Sequence, residues 1–369
     1  MKRLLLTAAA LGAGTTAAHA GALDRSGQSM AVLFEKGRYG ELSFGSVSPT
    51  ISGVGANPSP SPFAMSGDMA PGYVQFSGAY KADLNDRLSY ALIYDQPFGA
   101  DVDYPLGTGY FAQGATAKLR TNALTGVLKY TTDGNVSLYG GLRLQSLSAS
   151  AVVPFVSNWS ATTSRDWALG YVLGAAYEKP EIALRISLTY NSKVKNKLPT
   201  METSSGLGGP NASTTDITTP QSLNLEFQSG VAKDTLVFGS VRWVDWSNFA
   251  INPADYVLLT SGVPLVSYER DMVTYTLGVG RKLSDTWSVA ASFTYEPHQG
   301  YFFGNLGPAD GRKSITLAAI RTQGNTKITA GISYTMIGDA QTVAGPYAPA
   351  GVFTGNSAIA AGVKVGFTF

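Results

Sequence analysis

Cysteine is absent from all 369 residues, which excludes a disulfide framework, a thiolate nucleophile and any sulfur-ligated metal. Histidine is nearly absent too. The two present are His19 and His298, too few for a histidine-rich metal centre, so neither metal nor cofactor is expected. Charge of one sign is also missing: 27 basic residues face 25 acidic ones, which leaves no electrostatic case for a nucleic-acid partner. Charged residues make up only 14% of the chain, sparse for a soluble protein. No run of about eighteen apolar residues occurs, so membrane-spanning helices are excluded. In their place stand 42 glycines, 19 tyrosines and segment after segment of period-two alternation.

The N-terminus reads as an export signal. Met1-Lys2-Arg3 is basic, Leu4 to Gly14 is a short apolar core, and Ala18-His19-Ala20 is a small-residue cleavage site before Gly21. A signal peptide over 1–20 is expected, too short to span a bilayer. Among the lone candidate signals for catalysis, His298 has Glu296 two residues away. A solvated loop histidine explains this better than a hydrolytic dyad, and no enzyme is expected.

The final segment, Ser357 to Phe369, alternates strictly. Ile359, Ala361, Val363, Val365, Phe367 and Phe369 are apolar, and the residues between them are small or polar, with Lys364 among them. Such a strand has one greasy face and one wet face. Upstream, similar segments pair across tight turns at Leu84-Asn85-Asp86, Asp133-Gly134, Lys179-Pro180, Lys233-Asp234, Ser284-Asp285 and Gln323-Gly324. Long polar connections alternate with these turns, at about 48–69, 97–114, 152–164, 196–219, 248–270, 297–310 and 339–355. The count is about fourteen strands, an even number as a single-chain barrel requires. The expected fold is all-β: a transmembrane antiparallel barrel over 38–369, with short turns on the periplasmic rim. Aromatics such as Tyr80, Tyr90, Tyr130, Trp167, Tyr177 and Trp287 fall near strand ends, as interfacial girdles do. A soluble β-sandwich also alternates, but it calls for shorter strands and no regular alternation of loop length.

The order of several stretches carries a family resemblance. Asp166 to Tyr177 (DWALGYVLGAAY) is followed by Arg185 to Val194, Thr219-Pro220-Gln221-Ser222-Leu223 and Arg242 to Phe249 (RWVDWSNF). Then come Tyr275 to Gly280, Asp285 to Val289 and Gly331-Ile332-Ser333-Tyr334. With about fourteen strands, this order resembles the FadL-type outer-membrane transporters of long-chain fatty acids and aromatic hydrocarbons. A chain ending on an aromatic such as Phe369 likewise resembles bacterial barrels that use that residue as a signal to the assembly machinery. Relatives of this type carry an N-terminal hatch with an Asn-Pro-Ala sequence. Here the equivalent segment, 21–37, is short and lacks it; Asn252-Pro253-Ala254 lies in a late loop.

Candidate functional residues follow. Met30, Val32, Leu33 and Phe34 form an apolar patch in 21–37 that argues for burial as a plug contacting ligand, against the alternative of a loose tail. Asp95-Gln96-Pro97-Phe98-Gly99 resembles the kinked third strand through which the family opens its wall. Pro97 donates no ladder hydrogen bond and Gly99 tolerates a bulge, so pairing should fail there, unless Pro97 simply ends a strand at the rim. Arg143, Arg185, Glu226 and Arg242 sit in lumen phase, where they either receive a ligand carboxylate or brace the wall as paired charges, with Glu226 the ready partner. The expected function is passive uptake of hydrophobic small molecules with lateral exit. The expected partners are that ligand, outer-membrane lipid and lipopolysaccharide, and the barrel-assembly machinery. A general porin with an open aqueous lumen, or a structural or adhesin barrel, are the alternatives.

Overall fold

The computed structural model describes residues 23–369; the expected signal peptide lies outside the described residues. A single antiparallel sheet contains β1 (Tyr39–Thr50), β2 (Tyr73–Asp83), β3 (Leu88–Asp95), β4 (Gly99–Asp103), β5 (Thr116–Thr131), β6 (Val136–Val153) and β7 (Trp159–Thr163). It continues through β8 (Asp166–Lys179), β9 (Leu184–Asn191), β10 (Val194–Ser204), β11 (Gly208–Thr219), β12 (Ser222–Ala232) and β13 (Thr235–Val244). It ends with β14 (Met272–Lys282), β15 (Trp287–Glu296), β16 (Arg312–Gln323), β17 (Thr326–Ile337) and β18 (Ser357–Thr368). β18 pairs with β1 from Tyr39↔Thr368 to Thr50↔Ser357, which closes the sheet. β3 and β4 share one place in the wall beside β5, and β7, β10 and β11 extend above it. The result is a closed barrel of fourteen strands.

Closure follows from the medium. In hydrocarbon every backbone N–H and C=O must be satisfied inside the protein, and only a ladder without edges does so with strands. The alternation then assigns the faces. In β18, Ile359, Val363 and Phe367 are exposed outward while Ala358, Ala360 and Lys364 are buried inward. Leu142, Leu169, Leu277 and Ile332 continue the outward apolar belt on other strands. Phe369 lies at the short-turn rim beside Tyr80, with ring centroids 6.4 Å apart.

Several segments expected as long polar loops are instead strands. Residues 152–164 and 196–219 fold into the β6–β7 and β10–β11 hairpins, and β7 pairs with β10 to raise the wall on one side. The misreading has a physical reason: outside the bilayer both faces meet water or loops, so the apolar phase that marks a strand is lost. The remaining long connections cap that rim. Residues 53–55, 302–303, 340–344 and 347–353 form a small four-stranded sheet, and α1 (Ala254–Leu259) lies across the mouth. The fully buried Glu202 holds α1 in place, accepting from the Asp255 and Tyr256 amides at 3.0 and 3.3 Å and from the Trp159 indole at 3.0 Å.

Inward positions near the short-turn rim use glycine to seat aromatic rings. Tyr139 on β6 lies opposite Gly174 on β8, and a Cβ there would come within 2.2 Å of its ring. The ring lies flat over the glycine and reaches Thr189 Oγ1 at 2.6 Å. Gly174→Val should therefore expel the ring and destabilise the barrel by about 1–3 kcal/mol, the usual range for overpacking. The check is the urea midpoint of the heat-modifiable folded form on a gel; an unchanged midpoint would refute this packing.

Candidate functional site

The wall is interrupted in one place that sequence reasoning singled out. β2 pairs with β3 only from Asp83↔Ser89 to Gly78↔Tyr94, so the edge of β2 from Tyr73 to Ser77 has no partner on that side. Across the next seam, Asp95 pairs with Ala123 and Gly99 with Arg120. Gln96, Pro97 and Phe98 thus oppose only Thr121 and Asn122, a one-residue bulge that swings β4 away from β2.

The groups freed by the bulge are met from inside. The amides of Arg25 and Ser26 donate to Pro97 O at 2.8 and 3.4 Å, and Gly99 N donates to Leu23 O at 2.8 Å. Phe98 N donates to Thr121 Oγ1 at 2.8 Å. Gln96 spans the break with its side chain, accepting from Phe76 N at 3.1 Å. Asp95 accepts from Ser26 Oγ at 2.5 Å. The Phe98 ring turns into the lumen and meets the Trp246 ring edge-on, with centroids 5.8 Å apart. The N-terminal segment thus makes a single antiparallel bridge, Asp24 opposite Phe98, on the inner face of the kink.

Arg25 crosses the break. Its guanidinium lies 3.9 Å from the centre of the Tyr73 ring on the β2 bank, and its Nη2 is 2.7 Å from Asp101 on the β4 bank. It fills the space where Gly99 has no side chain: a Cβ there would sit 2.6 Å from Arg25 Nε. Asp101 also pairs with Arg120. Sequence reading missed Arg25, Tyr73 and Asp101. The available signal was the adjacent charges Asp24 and Arg25 in a segment expected to be buried.

The segment then descends the lumen. Met30, Val32 and Leu33, around a short 3-10 turn at Ala31–Phe34, are buried against Tyr39, Ala91, Ile93, Val127, Tyr139 and Val172. Phe34 packs edge-on to Tyr139 at 6.0 Å, beneath the Arg185 guanidinium at 4.6 Å.

Three of the four lumen charges, Arg185, Glu226 and Arg242, serve this segment. Arg242 pairs with Asp24 at 2.6 Å, not with Glu226, and donates to Gln28, Ser222 and Asn224. Glu226 accepts from Ser29 Oγ at 3.0 Å. Arg143 donates to Thr125 Oγ1 at 3.0 Å and lies near enough to Asp95 to interact electrostatically. At the rim, His298 pairs with Asp310 at 2.9 Å and not with Glu296.

Above the kink lies a cavity of about 880 Å³. Its floor is Leu23, Arg25, Gly99 and Leu119, its sides include Tyr73, Val102, Ile217 and Ile251, and its roof is formed by loop residues such as Phe155, Tyr256 and Pro264. Its size and apolar lining suit a small hydrophobic molecule. Burial pushes the Tyr256 phenol up to about 12 and raises the Tyr268 phenol as well.

A family model described as "Outer membrane protein transport protein (OMPP1/FadL/TodX)" matches residues 8–343, and the chain belongs to this family. It is a barrel of the bacterial outer membrane, in a family of transport channels rather than enzymes. Among solved structures, a FadL homologue of Pseudomonas aeruginosa superposes with a TM-score of 0.72 at 17% identity over 91% of each chain. The Pseudomonas putida toluene transporter TodX gives 0.65 at 15% identity, again over 91% of each chain. The Ralstonia pickettii toluene transporter TbuX gives 0.64 at 14% identity, over 91% of this chain and 90% of that one. At these identities they share its fold. No curated protein matches the chain.

Arg242→Met should release the N-terminal segment, because it removes the ion pair to Asp24 and the bond to Gln28 together. Breaking such a buried pair costs about 3–5 kcal/mol. Single-channel conductance in planar bilayers should rise severalfold while the barrel stays heat-modifiable. Conductance equal to the parent's would count against the clamp.

Proposed function

We propose that this channel takes up hydrophobic small molecules, long-chain fatty acids or aromatic hydrocarbons, and releases them sideways through the break between β2 and β4. Residues 21–37 act as a shortened hatch, with Met30, Val32, Leu33 and Phe34 closing the lumen below. Ligand enters beneath α1 and the loop sheet, rests in the apolar cavity, and leaves between Tyr73 and Gly99 into the surrounding bilayer. The observation that carries this reading is the coincidence of the cavity floor with the break: Arg25, Tyr73, Gly99 and Asp101 belong to both. An apolar ligand then passes from protein to lipid without crossing water. The description of two fold relatives as toluene transporters is in keeping with an apolar ligand. The burial of Met30, Val32 and Leu33 against the inner wall supports a plugged channel over a general diffusion porin. Phe369, exposed at the short-turn rim, is assigned the role of assembly signal.

Two measurements bear on this. A deletion strain should lose uptake of long-chain fatty acids or of monoaromatics, and unimpaired uptake of both would end the proposal. Gly99→Trp should displace Arg25 and block the break without touching the ladder elsewhere. Uptake should fall about tenfold while folded, heat-modifiable protein persists, as expected when a positioned passage is obstructed. Normal uptake by the folded variant would leave the ligand only an axial path past the hatch.

A further inference from the structure

The outer surface just above the apolar belt carries more cations than carboxylates. Lys118 and Arg120 on β5, Arg165 between β7 and β8, and Lys193, Lys195 and Lys197 around β10 are all exposed. The sheet register brings them together. Arg120 lies opposite Ser148 on β6. Leu147, next to Ser148, pairs with Asp166, the neighbour of Arg165. Lys197 adjoins this row, its amide donating to Asp166 Oδ2 at 3.0 Å. The carboxylates here are Asp101, Asp103, Asp166 and Asp216, and the first, third and fourth have partners. Asp101 holds Arg25 and Arg120, Asp216 pairs with Lys195 at 2.6 Å, and Asp166 accepts from Asn196. No ion pair is formed by Lys118, Arg165, Lys193 or Lys197 among the described residues. Directly below the row, Trp167, Leu169 and Tyr171 face outward as part of the lipid-facing surface.

We propose that this patch binds the phosphate groups of a phosphorylated glycolipid of the outer leaflet, lipopolysaccharide. The patch lies on the long-loop side of the belt, where the headgroups of that leaflet sit. Unpaired cations there attract anionic headgroups, and guanidinium and ammonium groups pair with phosphate oxygens. The serine hydroxyls of Ser148 and Ser150 add donors in the same row, and the apolar residues beneath are continuous with the surface that meets acyl chains. A soluble acidic partner would have no use for that continuity. The proposal depends on the orientation of the barrel and not on the route of its ligand.

The test uses the folded barrel in detergent, incubated with purified lipopolysaccharide and with the same lipid after enzymatic removal of its phosphates. Retained lipid is counted by native mass spectrometry after size exclusion. The parent should retain the phosphorylated form about tenfold better, the scale expected when several surface cations meet an anionic headgroup. The double variant R165E/K197E, checked for heat-modifiable folding, should retain the phosphorylated lipid no better than the dephosphorylated one. Arg87→Glu, an exposed cation at the short-turn rim, should behave as the parent. Equal retention of the two lipids by the parent overturns the proposal without any variant. So does unchanged retention by the folded double variant.

Discussion

Everything in this barrel depends on the requirement that backbone hydrogen bonds be completed within the protein at membrane depth. Pairing β18 with β1 satisfies it around the circumference. The break between β2 and β4 violates it locally, and the remedy is specific: Leu23, Arg25 and Ser26 supply or accept the bonds that the wall cannot make. The N-terminal segment is therefore attached where the ladder fails, and by the backbone itself. Attachment and opening are two aspects of one geometry, since moving the segment exposes the very groups that the kink leaves unpaired.

The same segment explains the charges inside the lumen. A buried guanidinium is costly to desolvate and is tolerated only with partners in good geometry. Arg242 has four such partners, two of them on the segment, Asp24 and Gln28. Arg185 lies on Phe34 and Glu226 takes the Ser29 hydroxyl. These residues both brace neighbouring strands, as Arg242 does through Ser222 and Asn224, and hold the segment. They form a socket, which lets a plug much shorter than a domain stay seated. Apolar burial alone would anchor it less uniquely, because the greasy turn at Ala31–Phe34 could settle against the wall in several ways.

Much of the fold could be read directly from the residues. Alternation in β18 assigns its two faces correctly, and the spacing of turns such as Asp133-Gly134 yields the strand number. The kink was readable because Pro97 and Gly99 are local signals whose effect on pairing needs no distant partner. What failed to show was everything set by the third dimension. Thr200 and Thr215 look like loop residues because both faces of their hairpin are polar, yet they pair across β10 and β11, 2.8 Å apart. Arg242 looks like a partner for Glu226 because both are on adjacent strands of like phase, but its carboxylate comes from Asp24, 218 positions away. Arg25 drew no notice because its role exists only when Tyr73 and Asp101 stand on either side of it.

Polarity along the axis argues for the sideways route on physical grounds. Above the kink the lumen is an apolar cavity; at and below it the inward residues include Asp95, Arg143, Gln145, Asn191 and Arg242, all buried. A hydrocarbon moving down the axis would lose its apolar contacts at this girdle and would have to break its hydrogen bonds. Leaving about 100 Å² of apolar surface against polar groups costs roughly 2–3 kcal/mol, before any broken bond is counted. Between Tyr73 and Gly99 the ligand instead meets Arg25, one side chain held by a ring and a carboxylate, and beyond it outward residues such as Phe76 and Leu92 that already face lipid. Displacing Arg25 breaks one buried ion pair and one ring contact, whereas the axial path opens the hydrogen bonds of the whole girdle. On the proposed route, the polar girdle therefore contributes as much to direction as the gap does: it makes the axial path unfavourable for molecules that the cavity accepts.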